Sequence, residues 1–477
     1  MRLSGSASYD AVVVGGGVVG CAVLRELTVH RGWRCLLLEA SPHLVSGASS
    51  GNTGIACTAS DVTPGTLEHQ CLTAATRINV STYRALNVPH RPSGTLYAGY
   101  NASEMDALRR EHAKRSERGD ASARILTASE ARAREPGLNA SLKGALLIPG
   151  ETVVDPWLVP IAYARHAHEN GATIRRGAEV TAAAYECGQW RLTVGCNRSG
   201  AVSAAATSDQ RDEDTEVRAR VVVACGGLRG DHLERMHRDE GGSPFEIRPR
   251  RGDFVLFDEP RATTTAAGAS SAAGASCAAL GSMPVGGAPS ETSRGVYIWR
   301  SVHGVLACGP TAEEVGERAT PPTPTSESVR RALHAAAAAA LPELQHAAVI
   351  GTYAGLRPGT DVSTDYHIAC APNNPTWVTV GGIRSTGLTA SLGIGRHVAD
   401  LCETALRAST GALPSPAVAI TTPLPPVQAL IDSFRQRGDG TVSLSFDGSD
   451  AEHGFGPHYV THPLTRTGFA RLSGITM

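Results

Sequence analysis

The sequence has no CxxC or CxC pair, no apolar run near the length of a membrane helix, and no excess of charge of either sign. Each lack removes a class of function. Without paired cysteines, a structural zinc or an iron–sulfur cluster has no ligand framework. The eleven cysteines are scattered and odd in number, which fits a reduced, cytoplasmic compartment and small buried thiols. Without ~20 consecutive apolar residues, no transmembrane segment is expected. A net charge of -1, with 19% charged residues, argues against a nucleic-acid partner, which selects a basic stripe. The short run Arg248 to Gly252 reads as a solvated loop. The first strand starts too early for a cleaved signal peptide, and the last four residues match no retention or peroxisomal signal.

What is present begins with "YDAVVVGGGVVGCAVLREL". Gly15, Gly17 and Gly20 spell G-x-G-x-x-G between an apolar strand and a helical pattern that stops at Gly32. A second strand, "RCLLLEA", ends on Glu39. This is a complete βαβ unit with an acidic residue about twenty positions past the glycines. Gly15 permits the tight turn, Gly17 lets backbone approach a pyrophosphate, and Gly20 lets helix and strand pack closely. The helix N-terminus favours negative charge. Glu39 can accept hydrogen bonds from a ribose 2'-OH and would repel the extra phosphate of NADP.

The loop after Glu39 points to FAD rather than NAD. "SGASSGNTGIACT", Ser46 to Thr58, offers many backbone N–H groups to a second phosphate and a ring system. Downstream, "WVTVGGIRSTGLTASLGIGRHVADL" reads as strand, glycine turn and helix, a second helix N-terminus for the same ligand. "ARVVVACGG" is another buried strand ending in glycines. No second G-x-G-x-x-G is present, which disfavours an NADPH-using disulfide reductase.

Seven pieces in order, "VVVGGGVVG", "LLLEA", "SGASSGNTGI", "VVDPWLVPIAYARHAHENGATI", "RVVVACGG", "YAGLRPGTD" and "GGIRSTGLTAS", span Asp10 to Leu406. Together they resemble the D-amino-acid-oxidase-like superfamily of FAD-dependent oxidoreductases. The likeness is greatest to its anaerobic-type glycerol-3-phosphate dehydrogenase and L-2-hydroxyglutarate dehydrogenase branch. The resemblance implies extended FAD held at Gly15, Gly17, Gly20 and Glu39. It implies a flavin-side loop with Ser49, Asn52, Thr53 and Gly54, and an adenine contact from the Val180 backbone. Gly226 matches the strand-end glycine. Gly382, Ile383, Gly387, Leu388 and Thr389 match the second flavin-side turn.

The fold class expected is α/β: a Rossmann-like FAD-binding domain and a substrate domain with a mixed, largely antiparallel sheet. The FAD domain is expected to be discontinuous, over 1–90, 150–240 and 350–410. The substrate domain takes 91–149 and 241–349. Residues 196–216 and 260–294 read as low-complexity insertions, the second centred on Thr263 to Ser282. Asp155, Pro156 and Gly171 frame a helix, with Pro160 deep enough to cost one hydrogen bond. Residues 411–477, rich in Pro and Gly, are expected to form an extended tail with little core.

The cofactor carries the redox step, so the protein must supply position and charge. Arg357 in "YAGLRPG" matches the arginine with which the family grips an anionic substrate. Arg384 lies on the flavin-side turn. Either could instead pair with a backbone carbonyl or with Asp361 or Asp365. Tyr353 and Thr386 are weaker neighbours. One departure stands out. Hydroxy-acid and glycerol-phosphate relatives carry a His in a pattern like N-S-G-x-x-H; here the sixth position is Cys57. Other histidines, such as His69, His303 and His367, read as ordinary residues rather than as its replacement. The cysteine cluster of some relatives is also missing, so electrons leave through a quinone, a partner flavoprotein or oxygen. The reading is oxidation of a small anionic substrate, glycerol 3-phosphate or a 2-hydroxy acid, by hydride transfer to flavin. The alternatives are an amino-acid-oxidase-like enzyme and a flavoprotein binding subunit without turnover.

Overall fold

Strand Ser8–Val14 pairs in parallel with Cys35–Glu39 on one side and Thr215–Ala224 on the other. Thr173–Arg176 and Asn374–Gly381 extend this parallel set outward. The computed structural model describes residues 8–196, 215–238, 242–258, 283–288, 295–410, 413–414, 419–421, 423–436, 441–446 and 455–475. Among these residues the first sheet has eight strands. The antiparallel ones are Ala178–Glu186, Gln189–Cys196 and His367–Ala371. Ala11 and Val13 enter the core on one face, Val12 and Val14 the core on the other. A parallel strand covered on both faces has no polar side, which is why "DAVVV" shows no alternation. Helices Val18–Arg25, Leu158–Glu169 and Gly387–Thr410 pack into the first of those cores.

The second sheet has nine strands among the described residues, mostly antiparallel. Its spine is Ile247–Phe257 against Val349–Thr360, registered from Ile247↔Thr360 to Phe257↔Val349. One face, with Val255, Phe257 and Leu306, packs on helix Glu327–Ala340 through Leu333 and Ala337. The other, with Tyr97, Phe254, Trp299 and Tyr353, packs on Leu464 and Ile55. The turn Ala48–Gly51 meets strand Val349–Thr360 of the second sheet backbone to backbone: a Cβ on Gly51 or Gly355 would overlap the other residue.

Three expectations need correction. Residues 349–360 belong to the spine of the second sheet, not to the FAD-side portion assigned to 350–410. Within 260–294, Val285–Gly287 is a buried strand between Thr95–Gly99 and Tyr297–Arg300. The segment Thr263 to Ser282 lies outside the described residues, as do 197–214. Pro160 costs one hydrogen bond as expected: the Val159 and Ile161 N–H groups on either side of it reach the Asp155 and Trp157 carbonyls at 3.3 and 3.4 Å, and proline offers no N–H to the Pro156 carbonyl between them. Asp155 Oδ1 accepts the Trp157 and Leu158 N–H groups at 2.8 and 2.7 Å.

The largest difference is at the C-terminus. Helices Val427–Ser433 and Pro463–Leu472 and a three-stranded sheet occupy the expected extended tail. Phe434, Phe446, Phe455, Val460 and Phe469 enter the core beside the first sheet. Four of the chain's seven phenylalanines lie here. Widely spaced anchors between prolines show no period, so the pattern resembles a loop while the side chains do the work of a core.

Candidate functional site

The glycine turn is built by contact. Gly15 has φ +113°, and a Cβ there would strike the Cys225 carbonyl oxygen. A Cβ on Gly20 would fall on the Gly15 carbonyl oxygen, so helix and strand approach without a side chain between them. Gly17 differs: a Cβ there meets only Ser49 Oγ, at 3.1 Å. Its open side faces a cavity of about 1580 Å³. Helix Val18–Arg25 begins at that point, and its first N–H, of Val18, reaches Ser49 Oγ at 3.0 Å.

Glu39 is oriented before any ligand arrives. Its Oε2 accepts the Gly16 N–H at 2.6 Å and its Oε1 accepts the Ser41 N–H at 2.7 Å. Burial pushes its carboxyl above the ordinary range, with those two N–H groups opposing. Gly15, Glu39, Val180 and Gly226 line this end of the cavity. Ser49, Asn52, Thr53, Ile383, Gly387 and Leu388 line it as well. Arg357 and Arg384 line it too. Three expected site residues stand behind the wall instead. Gly54, at φ +66°, packs against the Val154 carbonyl. Gly382, at φ +70°, turns the chain beside Asp365 and His367. Thr389 Oγ1 accepts the Cys57 N–H at 3.1 Å, and its carbonyl takes Asn79 Nδ2 at 2.9 Å. They shape the turns and do not face the cavity.

Arg357 reaches the carbonyls of Arg251 and Thr311 at 3.3 and 3.4 Å. Arg384 approaches Glu68 at 3.9 Å. Asp365 uses both oxygens to cap Leu67 and Glu68 N–H at 2.8 and 2.9 Å. Cys57 lines the cavity, but His69, His303 and His367 do not. His303 Nε2 is locked to Asp155 Oδ2 at 2.6 Å, and His367 packs on Phe245 with ring centres 4.9 Å apart.

Two residues that sequence reasoning missed shape the site. Glu68 lines the cavity from the first turn of helix Leu67–Thr76. In sequence it reads only as an acidic residue near a helix start. His462 is fully buried, 410 positions from the loop it touches, with no local signal. Its Nδ1 accepts the Leu464 N–H at 3.2 Å, and its Nε2 meets both the N–H and the carbonyl of Asn52, at 3.2 and 3.1 Å. The Tyr353 hydroxyl donates to the same carbonyl at 3.1 Å.

Burial pushes the His462 imidazole down to about 4, partly opposed by Asp155 and the Asn52 carbonyl. The folded chain therefore keeps it neutral while the unfolded chain takes up a proton below its ordinary value of about 6.5. Its stabilisation is full above that value and is lost as pH falls toward about 4. At about 1.4 kcal/mol per pH unit, the loss reaches roughly 3 kcal/mol. His166, also lowered to about 4 by burial and then by Arg25, acts in the same direction. Denaturant midpoints measured from pH 7 to 4.5 should fall, and His462→Asn should remove close to one proton from that slope. An unchanged slope refutes the assignment.

With this geometry in place, the comparisons decide the family. Residues 10–401 match the family described as FAD dependent oxidoreductase (DAO). The chain belongs to this family. It is 26% identical over 395 residues to the glycerol 3-phosphate dehydrogenase of Caloramator mitchellensis, covering 83% of this chain and 74% of that protein. Its fold is similar to dithionite-reduced L-α-glycerophosphate oxidase from Mycoplasma pneumoniae with FAD bound. That likeness has a TM-score of 0.71 at 22% identity and covers 88% of this chain and 99% of that one. Glycine oxidase from Geobacillus kaustophilus follows at 0.67 and 22%, covering 87% and 99%.

This FAD-dependent oxidoreductase has residues that fit the cofactor. Gly17 leaves room where a pyrophosphate meets the helix N-terminus, and Glu39 stands at the strand end. The same cavity continues to the Ser49–Thr53 wall and the Ile383–Leu388 turn. Among the described residues no helix is long and apolar enough to cross a membrane, and no group of three or more His, Cys, Asp and Glu could hold a metal.

Proposed function

We propose that this enzyme oxidises a small anionic substrate, glycerol 3-phosphate or a 2-hydroxy acid. FAD, when bound, supplies a two-electron acceptor for the hydride. The Gly15–Gly20 turn holds its pyrophosphate, Glu39 its ribose, and the Val180 backbone its adenine. Asn52, Thr53, Ile383 and Leu388 flank the ring. One observation supports the anionic substrate. The Arg384 stem lies over Gly359, its Cδ 3.6 Å from where a Cβ would stand. Gly359 is two residues from Arg357 on strand Val349–Thr360, so both arginines address one face of that strand. Two guanidinium groups on one wall suit a carboxylate or a phosphate through paired hydrogen bonds. The relatives named for glycerol 3-phosphate agree with this reading.

A second reading, oxidation of an amine, is favoured by Cys57 in place of a histidine and by the likeness to glycine oxidase. Anaerobic mixing with hydroxy acids, glycerol 3-phosphate and amino acids decides between them by which compound bleaches the flavin. The reduced enzyme passes its electrons to a quinone, a partner flavoprotein or oxygen. We place it in the cytoplasm, in keeping with nine described cysteines that are all free thiols.

The clamp itself is testable. Arg357→Lys keeps the charge and loses the planar fork. Losing a charge-assisted hydrogen bond costs about 1.5–3 kcal/mol, roughly ten- to a hundredfold in kcat/KM. The bound flavin spectrum should not change, and a neutral substrate analogue should be indifferent. Unchanged kcat/KM for the anionic substrate would move the anion site elsewhere.

A further inference from the structure

Oxidising an alcohol carbon requires a group to take the hydroxyl proton, and the histidine expected for that task is Cys57 here. The cavity has several carboxylates, but most are committed. Glu39 is held by the glycine turn. Asp365 is spent on the helix start. Glu111 is paired with Arg115 at 2.9 Å. Asp361 accepts the Glu246 N–H at 2.7 Å.

Glu68 is different. It is buried yet lines the cavity. Its Oε1 accepts the Thr386 hydroxyl at 2.6 Å. Thr386 Oγ1 also touches the Tyr366 hydroxyl. A threonine hydroxyl has one hydrogen, and an ionised carboxylate can only accept. Thr386 therefore spends its hydrogen on Glu68, and Tyr366 donates to Thr386. The chain Tyr366–Thr386–Glu68 fixes the carboxylate's orientation. Among the described residues Oε2 takes no hydrogen bond, and the cation near it is Arg384 at 3.9 Å. An anion drawn to Arg384 thus arrives beside an oriented carboxylate oxygen. The other titratable groups in this corner are Tyr366, Asp365, Cys71 and Cys57.

We propose that Glu68 is the catalytic residue that accepts the substrate's hydroxyl proton. The inference rests on the hydroxy-substrate reading above. The O–H bond breaks and its proton passes to Glu68 Oε2. The hydrogen on the same carbon leaves with its electron pair to the family's FAD, and the C–O single bond becomes C=O. Thr386 and Tyr366 are positioning residues that hold Oε1.

The test is anaerobic flavin reduction in wild type, Glu68→Gln and Glu68→Asp, across pH. Binding of the same anion lacking the hydroxyl is read in parallel by calorimetry. General-base removal costs about 10²–10⁴-fold. Glu68→Gln should lose at least about a hundredfold in reduction rate, together with the acid limb of the kcat/KM profile. Binding of the deoxy anion should not weaken. Glu68→Asp should keep the acid limb at an intermediate rate. Reduction of Glu68→Gln within about threefold of wild type at every pH, which is too small for a lost general base, overturns the role of Glu68 alone. Weakened deoxy-anion binding with an intact acid limb does the same, by making Glu68 structural. Wild type that no hydroxy anion bleaches overturns this inference and the substrate reading together. If Glu68→Gln does not retain FAD, Thr386→Val decides. Removing the donor to Oε1 must move the acid limb to higher pH, and an unmoved limb overturns the proposal.

Discussion

Gly17→Val should purify folded and colourless. The wild-type Cβ position is nearly clear of protein, with Ser49 Oγ alone at 3.1 Å. A side chain there harms the chain little and fills the space where the pyrophosphate meets the helix N-terminus. Displacing a doubly charged group by a side chain forfeits two or more charge-assisted hydrogen bonds, at about 1.5–3 kcal/mol each. That corresponds to roughly 10²–10⁴ in Kd. Gly20 is the control. Its Cβ would fall on the Gly15 carbonyl oxygen, so Gly20→Val should impair folding as well as flavin retention. The ratio of flavin to protein absorbance, read with a melting curve, separates the two. Yellow Gly17→Val protein with one FAD per chain would refute the placement of the pyrophosphate.

Removal of residues 424–477 should leave a chain that does not fold. Deleting the segment strips Phe434, Phe446, Phe455 and Phe469 from the core beside the first sheet. A phenylalanine lost from a core costs about 3–5 kcal/mol, and four of them together match or exceed the roughly 5–15 kcal/mol of a typical domain. The deletion also unpairs buried groups. The Thr465 hydroxyl donates to Asp155 Oδ1 at 2.9 Å, and His462 holds the Asn52 carbonyl. Phe469→Ala is the milder form: it should lower the unfolding free energy by about 3–5 kcal/mol while leaving the protein yellow. A truncated chain that unfolds cooperatively with FAD bound would show the segment to be dispensable.

The parts legible in sequence are those whose physics is local. Gly15, Gly17 and Gly20 act through a turn and a helix end within a few residues, so spacing alone reports them. Arg357 and Arg384, each in a short motif beside glycines, both line the cavity. Gly54, Gly382 and Thr389 lie in flavin-side motifs but are not among the residues that line the cavity. A glycine in a flavin-side motif can face the ligand or merely turn the chain, and spacing does not separate the two. Gly382 and Gly54 turn the chain, with positive φ.

By itself the sequence determined the βαβ unit, the FAD-type loop, the family and the two anion-binding candidates. The first two are local to the stretch from Asp10 to Thr58, and the family and the two arginines rest on seven short motifs in order along the chain. Only the tertiary structure decided which groups share the cavity corner. Glu68 meets Thr386 across 318 positions, and His462 meets Asn52 across 410. It also decided that Pro-rich residues 411–477 carry core and that 349–360 form the second sheet's spine. These outcomes follow from long-range burial, where side chains far apart in sequence exclude water together, and no local period records that.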